Sequence, residues 1–216
     1  MRVAVLLPGR IKGWEMNKDF LKLFQEKYNA TFFVSLNLEG PDESTDAFCR
    51  YFGVEQEQIA YIPTQTPEKY RQFHVNSSRG EHNFYSQWFH VRSAFDLCKA
   101  YCIKYLKMFD LVIKYRTEIY SETLIEISEV QPKRFYCDPH DAYQTNDQLG
   151  YGDFQMMELY SRLVNFYEYF YQNKILLYSG GIPRPTECVL FAYLNILANY
   201  EKIDVIYINY KFILRR

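Results

Sequence analysis

The order of predicted strands and helices in the first 62 residues is the feature that most constrains the fold. Apolar runs at 2–8, 31–37 and 59–63 predict three β-strands, and amphipathic stretches at 15–28 and 44–52 predict a helix between each pair. This alternation is typical of a parallel sheet with crossover helices. We therefore predict an α/β fold with a Rossmann-like first half.

The remainder of the chain predicts a mixed second half. Its patterns predict helices at 84–108, 155–171 and 186–200, strands at 111–113, 134–138 and 148–154, and a late strand or hairpin at 204–214. The whole is then a mixed, mainly parallel sheet flanked by helices. No linker divides the chain, so residues 1–216 are expected to form one domain. The Arg-Arg end leaves open that this domain belongs to a longer protein.

Composition excludes several classes of partner. Lys plus Arg (25) nearly balances Asp plus Glu (26), so no basic field exists for a nucleic-acid backbone. No stretch reaches the roughly 18 apolar residues that a membrane span needs. Five scattered cysteines without a CxxC pair, and an N-terminus unlike a secretory leader, predict reduced thiols in the cytoplasm.

The segment FDLVIKYRTEIY (109–120) changes from apolar to charged where a strand should end. Lys114, Arg116 and Glu118 alternate, which places them on one face, and Lys114 is expected to be solvated or paired. Ligands of such sheets bind beyond the carboxyl ends of the strands. Glu118 is therefore a candidate metal ligand, because a divalent cation on a diphosphate is commonly held by one or two carboxylates. A surface Arg–Glu pair is the alternative.

Polar residues also follow the first two strands. Pro8, Gly9 and Arg10 form a turn in which backbone can approach a ligand and a cation can meet a diphosphate. Ser35 and Asn37 end the second strand, where contacts to a nucleoside are expected.

The helix that begins near residue 84 carries two further candidates. Gln87 and Arg92 are expected to face a diphosphate across the crevice, or else to be solvated. In CDPHD (137–141), His140 lies between two aspartates, which fits either a divalent ion or an ordinary Asx-type turn.

Carboxylates in the second half suit a sugar. Asp147 and Asp153 lie in NDQLGYGDF (146–154) around two glycines, which would let backbone approach a ligand. Glu187 follows RPT at a predicted helix start, where it either complements the helix dipole or acts as a base toward an acceptor.

Three common motifs are missing from the sequence. It contains no G-x-G-x-x-G, no G-x-x-x-x-G-K-[ST] and no G-x-S-x-G. Nicotinamide-linked oxidoreductases, P-loop NTPases and hydrolases with a nucleophile elbow are therefore disfavoured.

The segments LLPGR, FVSLN, DLVIKYRTE, NDQLGYGDFQMM and RPTE occur in an order that resembles the nucleotide-sugar-dependent glycosyltransferases of GT-A fold. Within that family the chain is most similar to chlorovirus domains that help to build the capsid glycan. The resemblance implies a UDP-sugar donor, a glycan acceptor, Mn²⁺ or Mg²⁺, retention of configuration, and host cytoplasm as the location. The family's Asp-x-Asp matches Arg116-Thr117-Glu118, which keeps only the second acidic position.

Roles follow from this resemblance. Glu118 would hold the metal, with His140 or Asp138 as a second ligand, and Arg10, Lys12 or Arg92 would assist the leaving diphosphate. Asp147 and Asp153 would orient the sugar, and Asp153 or Glu187 would be the base of an inverting reaction. A non-catalytic nucleotide-sugar-binding or glycan-binding domain is the main alternative, because the first Asp is missing. A nucleotidyltransferase of related topology is a third interpretation.

Overall fold

The structure is a computed structural model. It describes residues 1–11, 13–37, 43–63, 67–71, 75–77, 80–82, 84–117, 119–121, 127, 130–141, 144–176, 186–208 and 212–214. At 75–77, 80–82, 84, 119–121, 139–141, 144–146 and 212–214 it describes the backbone alone.

The described part of the chain alternates helices and strands. The helices are α1 Trp14–Tyr28, α2 Glu43–Phe52, α3 Glu68–Arg71, α4 Phe84–Tyr105, α5 Phe154–Ser161, α6 Tyr167–Gln172 and α7 Thr186–Tyr200. The strands are β1 Val3–Pro8, β2 Ala30–Asn37, β3 Ile59–Ile62, β4 Val75–Ser77, β5 Gly80–His82, β6 Leu111–Tyr115, β7 Ile119–Ser121, β8 Arg134–Asp141, β9 Gln144–Gly152, β10 Asp204–Tyr207 and β11 Phe212–Leu214. Short 3₁₀ turns span Gln56–Gln58 and Arg162–Phe166.

Seven strands form the central sheet in the order β10-β8-β9-β6-β1-β2-β3. Of these seven, β9 alone runs antiparallel to its neighbours. This confirms the predicted α/β class with a mixed, mainly parallel sheet flanked by helices. It also agrees with the GT-A-type, Rossmann-like sheet that the resemblance implies.

Two hydrophobic cores lie on opposite faces of this sheet. On one face, α4, α5, α6 and α7 bury side chains such as Trp88, Phe95 and Tyr160. On the other, α1 and α2 bury Trp14 and Phe48 among others. The alternation of strand residues between the two cores explains why the central strands are apolar throughout.

Several predicted elements differ from the structure. The helix expected at 155–171 is interrupted by the 3₁₀ turn between α5 and α6, and the 204–214 stretch supplies β10 to the main sheet but β11 to β7. The polar segment before α4 contains α3 and the β4–β5 hairpin. Tyr105, at the end of α4, is exposed.

The topology defines two edges of the sheet. The carboxyl edge is where β1, β2, β3 and β6 end, and α1, α2, α4 and α7 begin there because each precedes a parallel strand. The amino edge is the opposite one. Since β9 is reversed, it begins at the carboxyl edge, and its last residue, Gly152, pairs with Val112 near the amino edge.

All five cysteines are free thiols. In the described part of the chain, no helix combines the length and apolarity needed to cross a membrane.

Candidate active site

The end of β6 is buried much further than its charges suggest. Lys114 is fully buried beside Leu6 of β1 and Gly150 of β9, which excludes the solvated alternative of the expectation that it is solvated or paired. Arg116 is half-buried just beyond the strand. Glu118, the candidate metal ligand, lies outside the described residues.

A side chain of α1 fixes the position of this strand end. The amide nitrogen Nδ2 of Asn17 donates a hydrogen bond of 2.8 Å to the backbone oxygen of Thr117, and both residues are buried. Sequence interpretation missed Asn17. The sequence pattern that could have identified Asn17 is its position, as a polar residue, on the apolar stripe that Trp14, Leu21 and Phe24 form along α1.

His90 connects α4 to the end of β2. Its Nδ1 lies 2.9 Å from Oγ of Ser35, and its Nε2 lies 2.6 Å from Oδ1 of Asn37. Because burial lowers the pKa of His90 to about 4, the ring is neutral near pH 7. Ser35 is fully buried, so it holds His90 in place and cannot contact a nucleoside directly, whereas Asn37 is half-buried at the carboxyl edge.

The structure brings Gln87 and Asp147 together. Nε2 of Gln87, in the first turn of α4, donates a hydrogen bond to Oδ2 of Asp147, and Asp147 is only 3% exposed. An irregularity in β9 explains how Asp147 reaches α4: Pro139 pairs with Thr145 but Cys137 pairs with Gly150, so β9 carries extra residues between the two pairs. Such bulges re-aim side chains, often beside active sites.

The two glycines of this segment serve packing. A Cβ on Gly150 would lie 2.5 Å from Cζ of Phe135, and one on Gly152 would lie 2.9 Å from the backbone oxygen of Arg134. Both positions therefore need glycine for contact between β8, β9 and the core, instead of for a ligand.

Asp153 is separated from these residues. It is the N-cap of α5, where its Oδ1 accepts a 2.7 Å hydrogen bond from the backbone nitrogen of Met156. It follows the end of β9 and therefore lies at the amino edge. This position corrects the expectation that Asp153 orients a sugar or acts as a base at the carboxyl edge.

The remaining candidates are divided. Arg92 forms an ion pair of 2.8 Å with Asp96 one helical turn on, so the structure gives it a local partner. Glu187 is half-buried in the first turn of α7, at the carboxyl edge. The side chain of His140 lies outside the described residues.

The turn after β1 is tied to β2. Gly9 adopts φ 87°, and its backbone nitrogen donates a 2.8 Å hydrogen bond to the backbone oxygen of Ser35. This positive φ is a conformation that favours glycine. Pro8 ends β1 half-buried, and Arg10 is exposed at the carboxyl edge.

No cluster of three or more His, Cys, Asp or Glu side chains with the arrangement of a metal site occurs among the described residues. The side chains of Glu118 and His140, the two candidate metal ligands, lie outside the described residues.

Comparison with protein-family models finds no match, and comparison with curated proteins finds none either. Among the solved structures that match is the "crystal structure of a glycosyltransferase involved in the glycosylation of the major capsid of PBCV-1". It is 10% identical over 97% of this chain and 82% of that one, with a TM-score of 0.44. The chain is thus similar to a protein of the class that its sequence motifs resemble.

Proposed function

We propose that this chain is a glycosyltransferase that moves a sugar from a UDP-sugar to a hydroxyl of a glycan acceptor. The motif resemblance extends the proposal to Mn²⁺ or Mg²⁺ assistance, retention of configuration, and capsid-glycan synthesis in the cytoplasm of a virus-infected host. The physical argument below concerns the donor site.

The observation that carries the proposal is the buried carboxylate of Asp147 at the carboxyl edge. A buried carboxylate is costly unless another group holds it, and Gln87 supplies that hydrogen bond from a facing helix. Pairing of Tyr115 with Leu149 places the end of β6 beside the middle of β9, two residues along the chain from Asp147. A carboxylate in this position suits sugar hydroxyls and the positive charge that develops at an anomeric carbon.

The same edge offers groups for a diphosphate. The N-termini of α1 and α4 both lie at this edge, one on each face of the sheet, and helix N-termini favour anions. Arg10 is exposed on the turn after β1, and Arg116 is half-buried beyond β6. These cations would stabilise the charge that the departing UDP acquires.

Glu118 is the residue that we propose for the metal. It directly follows Thr117, whose backbone oxygen accepts a hydrogen bond from Asn17. A divalent ion held by Glu118 would act as a Lewis acid on the diphosphate.

Thermal unfolding with UDP, with and without Mn²⁺, tests the donor class. A ligand at a hundredfold its dissociation constant adds about 2.7 kcal/mol of stability. The midpoint should then rise by roughly 5–10 °C, at about 2–4 °C per kcal/mol. We expect UDP to raise the unfolding midpoint, and Mn²⁺ to raise it further when UDP is present. In Glu118→Ala the additional rise with Mn²⁺ should be absent. A rise with NAD but none with UDP would contradict the proposal.

A matched pair of substitutions tests the site itself. Asp147→Asn should lower the rate of sugar transfer roughly 100-fold, because the charge is lost while an oxygen remains for Gln87. Asp153→Asn should leave the rate near that of the wild type, because Asn caps helices as well as Asp does. Sugar transfer is measured by release of UDP in the presence of acceptor. Equal losses in both variants would argue against the placement of the site.

One observation favours a second candidate function. The strand exit carries Arg116-Thr117-Glu118, with a single acidic residue where the resembling family has two. A domain that binds a nucleotide sugar without transferring it would fit this difference. Binding of UDP-sugar without metal-dependent hydrolysis of the donor would support that alternative.

A further inference from the structure

The last turn of α4 and the loop after it form an exposed apolar protrusion. All six residues of 103–108, IKYLKM, are exposed, and we name this segment the α4 tip. Ile103 is 68% exposed, Leu106 92% and Met108 53%. Single exposed apolar side chains are common on protein surfaces, but three within six residues are a patch.

Leu106 occupies a backbone position that normally belongs to glycine. The helix ends in a Schellman motif, with a 3.1 Å hydrogen bond from the nitrogen of Lys107 to the oxygen of Cys102 and a 3.4 Å one from Leu106 to Ile103. Leu106 therefore adopts φ 51°. Leucine is disfavoured in this left-handed conformation, and exposure of its side chain adds no packing. Its presence there is better explained by contact with something outside this chain.

Contacts on both sides hold the tip in place. Lys104 and the hydroxyl of Tyr105 both bind the carboxylate of Glu57, in the 3₁₀ turn before β3. The ring of Tyr105 packs against Tyr101, with centroids 4.5 Å apart. Leu106 is therefore displayed outward by a supported turn.

Cations accompany the apolar side chains. Lys104 and Lys107 alternate with them along the tip, and Arg2 lies beside it because its backbone nitrogen binds Asp110 at 2.6 Å. Two acidic residues are near: Glu57, which pairs with Lys104, and Asp110, which accepts the backbone hydrogen bond from Arg2. The surface around Leu106 is thus apolar at its centre, and its border carries three cations against two carboxylates, with Lys107 outside the Lys104–Glu57 pair.

We propose that the α4 tip inserts into the surface of a membrane rich in anionic lipid. Leu106, Ile103 and Met108 enter the boundary of the acyl chains, while the side chain of Lys107 extends to the headgroups. Attraction between the cations and anionic headgroups adds to the binding. A protein partner fits less well, since lysine is depleted in protein interfaces and a protruding leucine tip is not a flat surface.

The position of the tip suits this role. α4 begins at the carboxyl edge and ends at the amino edge, so the tip and the candidate active site lie at opposite edges of the sheet. A membrane bound at the tip leaves the carboxyl edge facing water. The inference does not depend on the proposed function, and its test needs no enzymatic activity.

Co-sedimentation with vesicles tests the proposal. The whole chain should sediment with vesicles of equal parts phosphatidylcholine and phosphatidylserine, and much less with pure phosphatidylcholine. Leu106→Gly should weaken this binding about 10- to 100-fold, the effect of losing one buried leucine side chain. Lys107→Gln should weaken it about fivefold, and only on the anionic vesicles.

The Leu106→Gly variant separates binding from folding, because glycine is favoured at φ 51° and the variant should unfold at an equal or higher temperature. Asn29→Gly is the matched control: it makes the same change at a left-handed helix end, at φ 48°, but away from the tip, and it should bind vesicles like the wild type. Wild-type protein that stays in solution with anionic vesicles, or a Leu106→Gly variant that binds unchanged, would overturn the proposal. A wild-type dimer that Leu106→Gly converts to monomer, without vesicle binding, would assign the tip to a protein interface instead.

Discussion

His90 shows how one neutral side chain organises the end of a strand. It lies between Ser35 and Asn37, two residues of β2 on the same face, and both ring nitrogens have partners. Addition of a proton to the ring would place a charge in a buried position. The end of β2 is therefore arranged for neutral histidine.

This arrangement predicts a pH dependence of stability. The ordinary pKa of histidine is about 6.5, and burial lowers that of His90 to about 4. Between these values the unfolded chain binds the proton and the folded protein does not. The stabilisation is thus complete above pH 6.5 and is lost as the pH falls to 4, by up to about 3 kcal/mol.

Urea unfolding at pH 7 and pH 4.5 measures this loss. His90→Gln removes the titrating group, so its free energy of unfolding should fall less over the same interval. An identical fall in both proteins would show that other groups cause it.

At the scale of elements, β8 and β9 are in contact because Gly150 has no side chain. The ring of Phe135, fully buried, occupies the space that a Cβ on Gly150 would need. The close fit fixes the register of the two strands near Cys137 and Gly150.

Gly150→Ala should lower the free energy of unfolding by about 1–3 kcal/mol, the usual cost of overpacking a core. Phe135→Leu in the same chain should recover part of this loss, because the smaller side chain leaves room for the methyl group. The four proteins form a double-mutant cycle measured by urea unfolding. Additive effects of the two substitutions would contradict direct contact.

Elements with a local signal were predictable from the sequence. The apolar periodicity of 186–200 predicts α7 with the bounds that the structure gives it. The interruption between α5 and α6 was not predictable, since 155–171 contains neither glycine nor proline and its helical pattern is continuous. Tertiary packing, which the local pattern does not contain, decides that break.

The same difference between local and tertiary signals applies to the candidate site. The carboxyl edge could be predicted from parallel strands, and with it the placement of Asn37 and Arg116. The positions of Asp147 and Asp153 could not be predicted, because the direction of β9 depends on how it pairs with its neighbours. Antiparallel pairing puts its beginning, with Asp147, at the carboxyl edge and sends Asp153 to the other edge. The burial of Lys114 was not predictable either, because alternation gives the face of a side chain but not what covers it.

At the scale of the whole molecule, the shared sheet couples the two cores. The sequence has two tryptophans, and each belongs to a different core: Trp14 lies with α1 and α2, and Trp88 with α4 to α7. Fluorescence of each residue therefore reports on one face of the sheet.

We expect the two faces to unfold together. Trp14→Phe and Trp88→Phe leave one reporter each, and in each variant the fluorescence transition in urea should coincide with the loss of circular dichroism. Trp88→Phe removes no hydrogen bond, because its Nε1 has no partner in the described part of the structure. Separate transitions in either variant would show that the cores unfold independently.

The place of β6 in the sheet has a consequence during synthesis. In the sheet, β1 lies between β2 and β6. In the chain, β6 comes long after β1, because it ends only at Tyr115. At about 5–20 residues per second, the ribosome takes several seconds to make the residues between them. Until then the nascent three-stranded sheet ends at β1, an apolar strand with one side open to pairing with other chains. A strand that lies inside the finished sheet is thus an edge strand while the rest of the chain is being made.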